Sequence, residues 1–90
     1  MEKRKNMSDT IIASFEREIM KYCKVPTITV YHKPKDYPNH FVARLYDMRE
    51  PTKYIIVKDS VEELRELIPF GMIFFDRDQQ DDEVIVETYI

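Results

Sequence analysis

Apolar positions along this chain form short runs, and the clearest of them leads directly into a capped helix. Tyr54–Val57 is apolar and largely β-branched without alternation, which is typical of a strand buried on both faces. Ser60 precedes Glu63 by three residues, the spacing at which the Ser60 hydroxyl accepts from the Glu63 N–H and the Glu63 carboxylate accepts from the Ser60 N–H. We predict a strand near the centre of a sheet, then a helix over 61–68 that Pro69 ends.

The N-terminal part has a helical period instead. Ser8 or Asp9 can cap a helix, and apolar residues recur every three or four positions until Val25-Pro26 favours extended backbone. The predicted apolar face of this helix comprises Ile12, Phe15, Ile19, Tyr22 and Cys23. Residues 1–7 are charged and aperiodic, so we predict a disordered N-terminal extension followed by a single domain over 8–90.

The remaining apolar runs predict four more strands. Stretches 27–32 and 41–48 alternate in polarity as half-buried strands do, and with 54–57 they should form an antiparallel meander. Runs 72–75 and 84–90 predict a hairpin around a charged turn. The order α-β-β-β-α-β-β indicates an α+β fold, with an antiparallel or mixed five-stranded sheet and two helices packed on it.

Composition limits the class of protein. Ninety residues with 43% apolar content suffice for one small core. No apolar run approaches the roughly 20 residues that span a bilayer, and the first residues lack the apolar segment of a secretory signal. We therefore expect a cytoplasmic protein without membrane contact. Cys23 has no second cysteine to pair with, which suits a reducing compartment, and we interpret it as a small apolar residue.

Charge is distributed unevenly along the chain. The balance of basic over acidic residues is +4 for residues 1–35, +1 for 36–58 and −8 for 59–90. Such a chain can pair its own halves, associate head to tail with a copy, or offer an acidic face to a basic partner; ordinary solvated charge is the alternative. The candidate acidic interaction surface comprises Glu62, Glu63, Glu66, Asp76, Asp78, Asp81, Asp82, Glu83 and Glu87.

Candidate metal chemistry is weakly supported. Asp76–Glu87 has the twelve-residue length of a calcium loop, but Asp81 stands where glycine is needed, and strands are predicted on either side. A metal-dependent hydrolase needs paired acids and usually a lysine, yet no lysine follows Lys58. The other candidate ligands, which lack a paired spacing, are Cys23, His32, Asp36 and His40. We expect no metal, no cofactor and no catalytic set, since Ser60 is explained as a cap.

Two resemblances bear on function. The order α-β-β-β-α resembles the double-stranded RNA-binding domain, whose second helix begins with phosphate-binding lysines; here that position reads Ser60-Val61-Glu62-Glu63, so nucleic-acid binding is unlikely. The run Lys58–Leu64 and the strands before it are similar to HicB-type antitoxins over about half the chain, without their glycine- and proline-rich turn. Phe41–Ile90 also resembles short uncharacterised bacterial proteins of mobile elements.

These observations favour a non-enzymatic interaction or regulatory module of unknown partner, and the last resemblance implies an accessory role in a mobile element. The alternatives are an antitoxin-like or acidic, nucleic-acid-mimicking inhibitor of another protein, and a small metal-dependent hydrolase. The stretch 84–90 carries apolar residues on both faces. Placed at a sheet edge, it would pair with another chain, so we expect a homodimer through this C-terminal strand.

Overall fold

The fold is an α+β domain built on one six-stranded mixed sheet. A computed structural model describes residues 9–77 and 84–90. Its elements are β1 (Thr10–Ile11), α1 (Arg17–Met20), β2 (Pro26–His32), β3 (Phe41–Asp47), β4 (Glu50–Lys58), α2 (Val61–Arg65), β5 (Phe74–Asp76) and β6 (Ile85–Tyr89). The strand order is β1-β4-β3-β2-β6-β5. Only β1 with β4 is a parallel pair among these neighbours, so the predicted α+β class is confirmed with six strands rather than five.

The core lies between the helices and one face of the sheet. Ile28 pairs with Leu45 of β3 and with Tyr89 of β6, and all three side chains are buried on the face that also receives Leu64 of α2. We call this the helix face. The opposite face, which we call the back face, carries a row across five strands consisting of Ile55, Arg44, Thr29, Thr88 and Phe75.

The predicted meander β2-β3-β4 is confirmed as antiparallel. In β4, Ile55 and Ile56 point to opposite faces and are 0% and 1% exposed, as expected for an apolar run without alternation. The β3–β4 turn contains Met48 at φ 61°, a left-handed conformation that costs energy for any residue with a Cβ. The meander is thus the most completely buried part of the sheet.

The long helix predicted from Ser8 or Asp9 to residue 24 is wrong. The Asp9 carboxylate instead accepts hydrogen bonds from the Arg44 guanidinium at 2.9 Å and from the Tyr37 hydroxyl at 3.0 Å. The Ile12 N–H donates to the Ile55 carbonyl at 2.9 Å, which holds this segment extended along β4. These tertiary contacts override the local helical preference, and within residues 9–24 only the four residues of α1 are α-helical.

The apolar positions of the predicted first helix nevertheless lie mostly where the period placed them. Phe15 is buried in the core, and Ile12, Ile19 and Cys23 pack against it. Tyr22 is the exception, because its side chain is largely exposed. The periodicity therefore identified core contacts without identifying the backbone conformation that makes them.

Helix α2 begins as predicted. The Glu63 N–H donates to the Ser60 hydroxyl at 3.2 Å, whereas the second half of the cap differs: the Ser60 hydroxyl donates to the Glu63 carboxylate at 3.0 Å. The α-helix covers Val61–Arg65 and then tightens into a turn in which the Leu67 N–H donates to the Leu64 carbonyl at 3.0 Å. Gly71, at φ 98°, lets the chain turn away towards β5.

The C-terminal hairpin forms as predicted, with β5 antiparallel to β6. The expectation that the strand over 84–90 lies at the sheet edge is wrong, because β6 lies between β2 and β5. Its apolar residues on both faces are typical of an interior strand that is covered on both sides. Among the described residues, the edge on this side of the sheet is β5.

Candidate functional site at the edge of the sheet

Strand β5 exposes large apolar side chains at the edge of the sheet. We define the edge patch as two residues of this strand, their neighbours Ile73 and Ile90, and Phe70 in the turn that precedes the strand. Their exposed fractions are 105% for Phe70, 62% for Ile73, 48% for Phe74, 48% for Phe75 and 51% for Ile90. Exposed aromatic side chains clustered on one edge strand are unusual, since isolated chains normally protect such edges with charge, proline or a covering segment.

Some backbone N–H and C=O groups of β5 point away from the sheet. Ile73 and Ile90 exchange two backbone hydrogen bonds of 2.7 and 3.0 Å. In an antiparallel ladder, hydrogen-bonded and non-hydrogen-bonded pairs alternate. The N–H and C=O of Phe75 therefore face β6, whereas those of Phe74 and Asp76 face outward, where no strand pairs with β5 among residues 9–77 and 84–90.

Both faces of this edge are apolar. On the helix face, the Phe74 ring meets the Tyr89 ring edge-on, with centroids 5.7 Å apart. On the back face, Phe75 lies opposite Thr88, and the alternation of the strands places Ile73 and Ile90 beside it. The outward N–H and C=O of Phe74 are thus flanked by apolar side chains on both faces of the sheet.

An ion pair between the half-exposed Arg65 and the buried Glu87 fixes the hairpin beneath α2. Glu87 is 1% exposed, and its carboxylate accepts hydrogen bonds from Arg65 at 2.8 and 3.0 Å and from the Tyr89 hydroxyl at 2.7 Å. This bidentate geometry is the strongest form of such a contact. It joins β6, and through β6 the exposed strand β5, to the helix above the core.

The same contacts determine how these groups titrate. Burial raises the pKa of Glu87, but the hydrogen bonds from Arg65 and Tyr89 and the charge of Arg65 outweigh it, so this pKa lies below its ordinary value. Burial, followed by the hydrogen bond to Glu87, raises the pKa of Tyr89 to about 12. Glu87 is therefore a carboxylate held in place inside the fold.

The predicted acidic surface is only partly assembled. Glu62 and Glu63 are exposed on α2, Glu66 is exposed at the C-cap of this helix, and Asp76 is exposed on β5. Glu87 does not belong to this surface, because it is buried against Arg65. The remaining predicted members, which lie outside the described residues, are Asp78, Asp81, Asp82 and Glu83. The residues that sequence reasoning missed are the exposed aromatics, whose run 72–75 has the same composition as a buried strand.

The structure does not bring the candidate metal ligands together. The His32 ring stacks on Phe41 at 5.0 Å, and His40 Nδ1 lies 3.1 Å from a carboxylate oxygen of Asp59. Cys23 is half-buried, and burial, followed by the charge of Asp47, raises the pKa of its thiol. Within the described residues, no three histidine, cysteine or acidic side chains are grouped as a metal site would require.

Among the residues that the structure describes, no helix is long and apolar enough to cross a membrane. Comparison with known protein families, with curated proteins and with solved structures gave no match for this chain. The edge patch is therefore interpreted from its own geometry.

Proposed function

We propose that this protein is a non-enzymatic interaction module that binds a partner chain by strand addition to β5. The observation that supports the proposal is the edge patch itself, in which exposed aromatic rings lie on both sides of outward-facing backbone groups. In strand addition, main-chain hydrogen bonds supply affinity and side-chain contacts on the two faces supply specificity. Phe74 and Phe75, one on each face, would contact alternate side chains of the added strand.

The anchoring of β6 is consistent with this role. A strand that receives a partner needs a fixed position, because ordering a flexible segment on binding reduces affinity. The contact between Arg65 and Glu87 ties the hairpin to α2 at the neighbouring strand. The partner would then add to an edge that is already in its bound conformation.

The test uses two substitutions at one residue. Phe74→Ala removes the ring, and Phe74→Pro removes the ring and the outward N–H while the ladder between β5 and β6 keeps its hydrogen bonds. We expect partner capture from the native host to weaken with Phe74→Ala and to be lost with Phe74→Pro, with the melting temperature of both variants near that of the wild type.

Met48→Ala is the matched control, because Met48 is also an exposed apolar residue but lies in the β3–β4 turn. It should capture the same proteins as the wild type. Capture of an unchanged set by folded Phe74→Pro would rule out strand addition at β5.

A second candidate is an acidic inhibitor that mimics nucleic acid. It is favoured by the exposed carboxylates of Glu62 and Glu66 on α2 and of Asp59 just before it. Partner binding through these charges should weaken steeply between low and high salt, whereas binding through the β5 backbone should change little. The antitoxin-like role, the link to mobile elements and the cytoplasmic location stay predictions, and no contact among the described residues favours the hydrolase.

A further inference from the structure

We infer that the chain added to β5 is a second copy of this protein, paired antiparallel with the first about a two-fold axis at Phe74. The inference rests on the proposed strand addition and specifies its partner. It follows from the side chains that each possible self-pairing would place opposite one another.

The outward-facing backbone groups limit the choice of register. Because Phe74 and Asp76 present their N–H and C=O away from β6, two copies of β5 can exchange hydrogen bonds only through these outward residues. In a two-fold antiparallel pair, the axis must then pass through Phe74, Phe75 or Asp76. An axis at Ile73 is excluded, because it would need the Met72 N–H, which donates to the Pro69 carbonyl at 3.4 Å. Shifting a register by a single residue would place backbone groups that face β6 against groups that face outward.

Charge and polarity distinguish the three registers. An axis at Asp76 sets this carboxylate against its own copy, a directly opposed like-charge pair that is destabilising. An axis at Phe75 sets each Phe74 against Asp76. An axis at Phe74 opposes the two Phe74 rings and sets Ile73 against Phe75, so every central contact is apolar and Asp76 lies outside the centre.

The register about Phe74 also brings together the apolar side chains of the back face. Ile73 and Phe75 of each copy share the back face with Ile90, so the exposed side chains of the two copies would meet on one face of a continuous sheet. Aromatic and aliphatic pairs across neighbouring strands stabilise such pairing. The interface is small by the standards of stable complexes, so we expect a dimer that dissociates in the micromolar range.

A cysteine scan measures the register directly. In a Cys23→Ser background, which contains no other cysteine, Phe74→Cys, Phe75→Cys and Asp76→Cys are each incubated with oxidised glutathione, the disulfide form, at high micromolar protein. A disulfide needs Cα atoms about 4.4–6.8 Å apart, so only a residue on the axis meets its own copy. We expect Phe74→Cys to form covalent dimer at least about tenfold faster than the other two. Faster reaction of Phe75→Cys or Asp76→Cys would overturn this register.

Sedimentation of the unmodified chain provides the second measurement, since a cysteine at position 74 removes a ring from the interface. The wild type should shift from monomer to dimer with rising concentration, and Phe74→Pro should stay monomeric. A wild type that is monomeric throughout overturns the inference. If Phe74→Pro then still abolishes capture of a host protein, strand addition stands with a different partner; if it does not, both proposals fail.

Discussion

Strands β4 and β5 are built from similar residues but have opposite surroundings. The run Tyr54–Val57 in β4 has hydrogen-bonded strands on both sides, and its isoleucines are buried on both faces. Within the described part of the chain, Phe74 and Phe75 in β5 have a strand on one side only, and each is about half exposed. The difference shows that an apolar run identifies a strand, whereas the position of the strand in the sheet decides whether its side chains stabilise the fold or remain available for a partner.

The largest expected effect is a difference in the free energy of unfolding between a substitution in β4 and one in β5. Ile56→Ala removes a fully buried side chain and should lower the free energy of unfolding by about 2–5 kcal/mol, because a cavity remains. Phe75→Ala removes a half-exposed ring and should cost about 1 kcal/mol or less. Urea unfolding followed by circular dichroism measures both. Equal losses would mean that β5 is buried in the free chain.

The next effect tests how β5 is anchored. Arg65→Ala leaves the Glu87 carboxylate buried with Tyr89 as its remaining partner, which should cost about 2–3 kcal/mol at pH 7. Glu87→Gln should cost about 1 kcal/mol, because the half-exposed Arg65 side chain is then solvated by water. Urea unfolding of both variants measures these losses. A larger loss for Glu87→Gln than for Arg65→Ala would contradict the anchoring role of Arg65.

The pH dependence of the same pair has a definite sign. In the wild type the pKa of Glu87 is lowered by folding. Its contribution to the free energy of unfolding is therefore present above the pKa of the unfolded chain, about 4.3, and is lost as the pH falls through the pKa of the folded chain. Without Arg65, burial dominates and raises this pKa. The loss of unfolding free energy caused by Arg65→Ala should therefore be smaller at pH 4 than at pH 7. Urea unfolding of the wild type and the variant at both pH values measures this difference. An equal loss at pH 7 and pH 4 would show that the ion pair between Arg65 and Glu87 does not cause it.

A smaller effect concerns the helix that packs over β4. Ser60→Ala removes the acceptor for the Glu63 N–H and should cost about 1 kcal/mol, whereas Ser60→Asp, which restores an acceptor at the helix start, should stay near the wild type. Thermal unfolding compares the two variants. Because Ser60 lies at the start of α2, whereas Arg65, which ties the helix to β6, lies at its end, self-association through β5 should not change. Weakened dimerisation of Ser60→Ala would indicate that α2 contributes to the interface.

The smallest effect is a gain in stability at the turn that leads into β4. Met48 has φ 61°, so Met48→Gly should relieve left-handed strain and raise the free energy of unfolding by about 0.5 kcal/mol. Arg49→Gly, at a neighbouring position without positive φ, should lower it by a similar amount. Thermal denaturation resolves the two. A loss in both variants would show that the Met48 side chain stabilises the turn more than its conformation costs.

Local pattern predicted the meander, the Ser60 cap and the C-terminal hairpin, because each depends on residues close together in sequence. It failed at Asp9, whose partners Tyr37 and Arg44 lie far along the chain and hold the backbone extended. No pattern of spacing within residues 8–24 contains that information. The helical period was still right about Phe15, which is buried, because burial depends on the side chain and is compatible with more than one backbone conformation.

From sequence, the edge strand is expected at 84–90, whereas β6 is interior and β5 lies at the edge of the described sheet. Strand pairing with another chain was expected at 84–90, although the rule that placed Tyr54–Val57 inside the sheet applies equally to that stretch. A glutamate within the apolar run was a further signal, since Glu87 in an interior strand requires a buried partner such as Arg65. Strand order itself depends on contacts between distant segments and could not be read from either run alone.

The placement of β6 between β2 and β5 has a consequence for folding kinetics. The meander β2-β3-β4 forms from segments that are neighbours in the sequence. The second partner of β2 is β6, and their pairing joins Ile28 to Tyr89, which lie far apart along the chain. Closing so long a loop is slow compared with forming a hairpin. During this interval the refolding chain exposes β2 as an additional unpaired edge, so losses to aggregation on refolding should increase with protein concentration and with any substitution that delays docking of the hairpin.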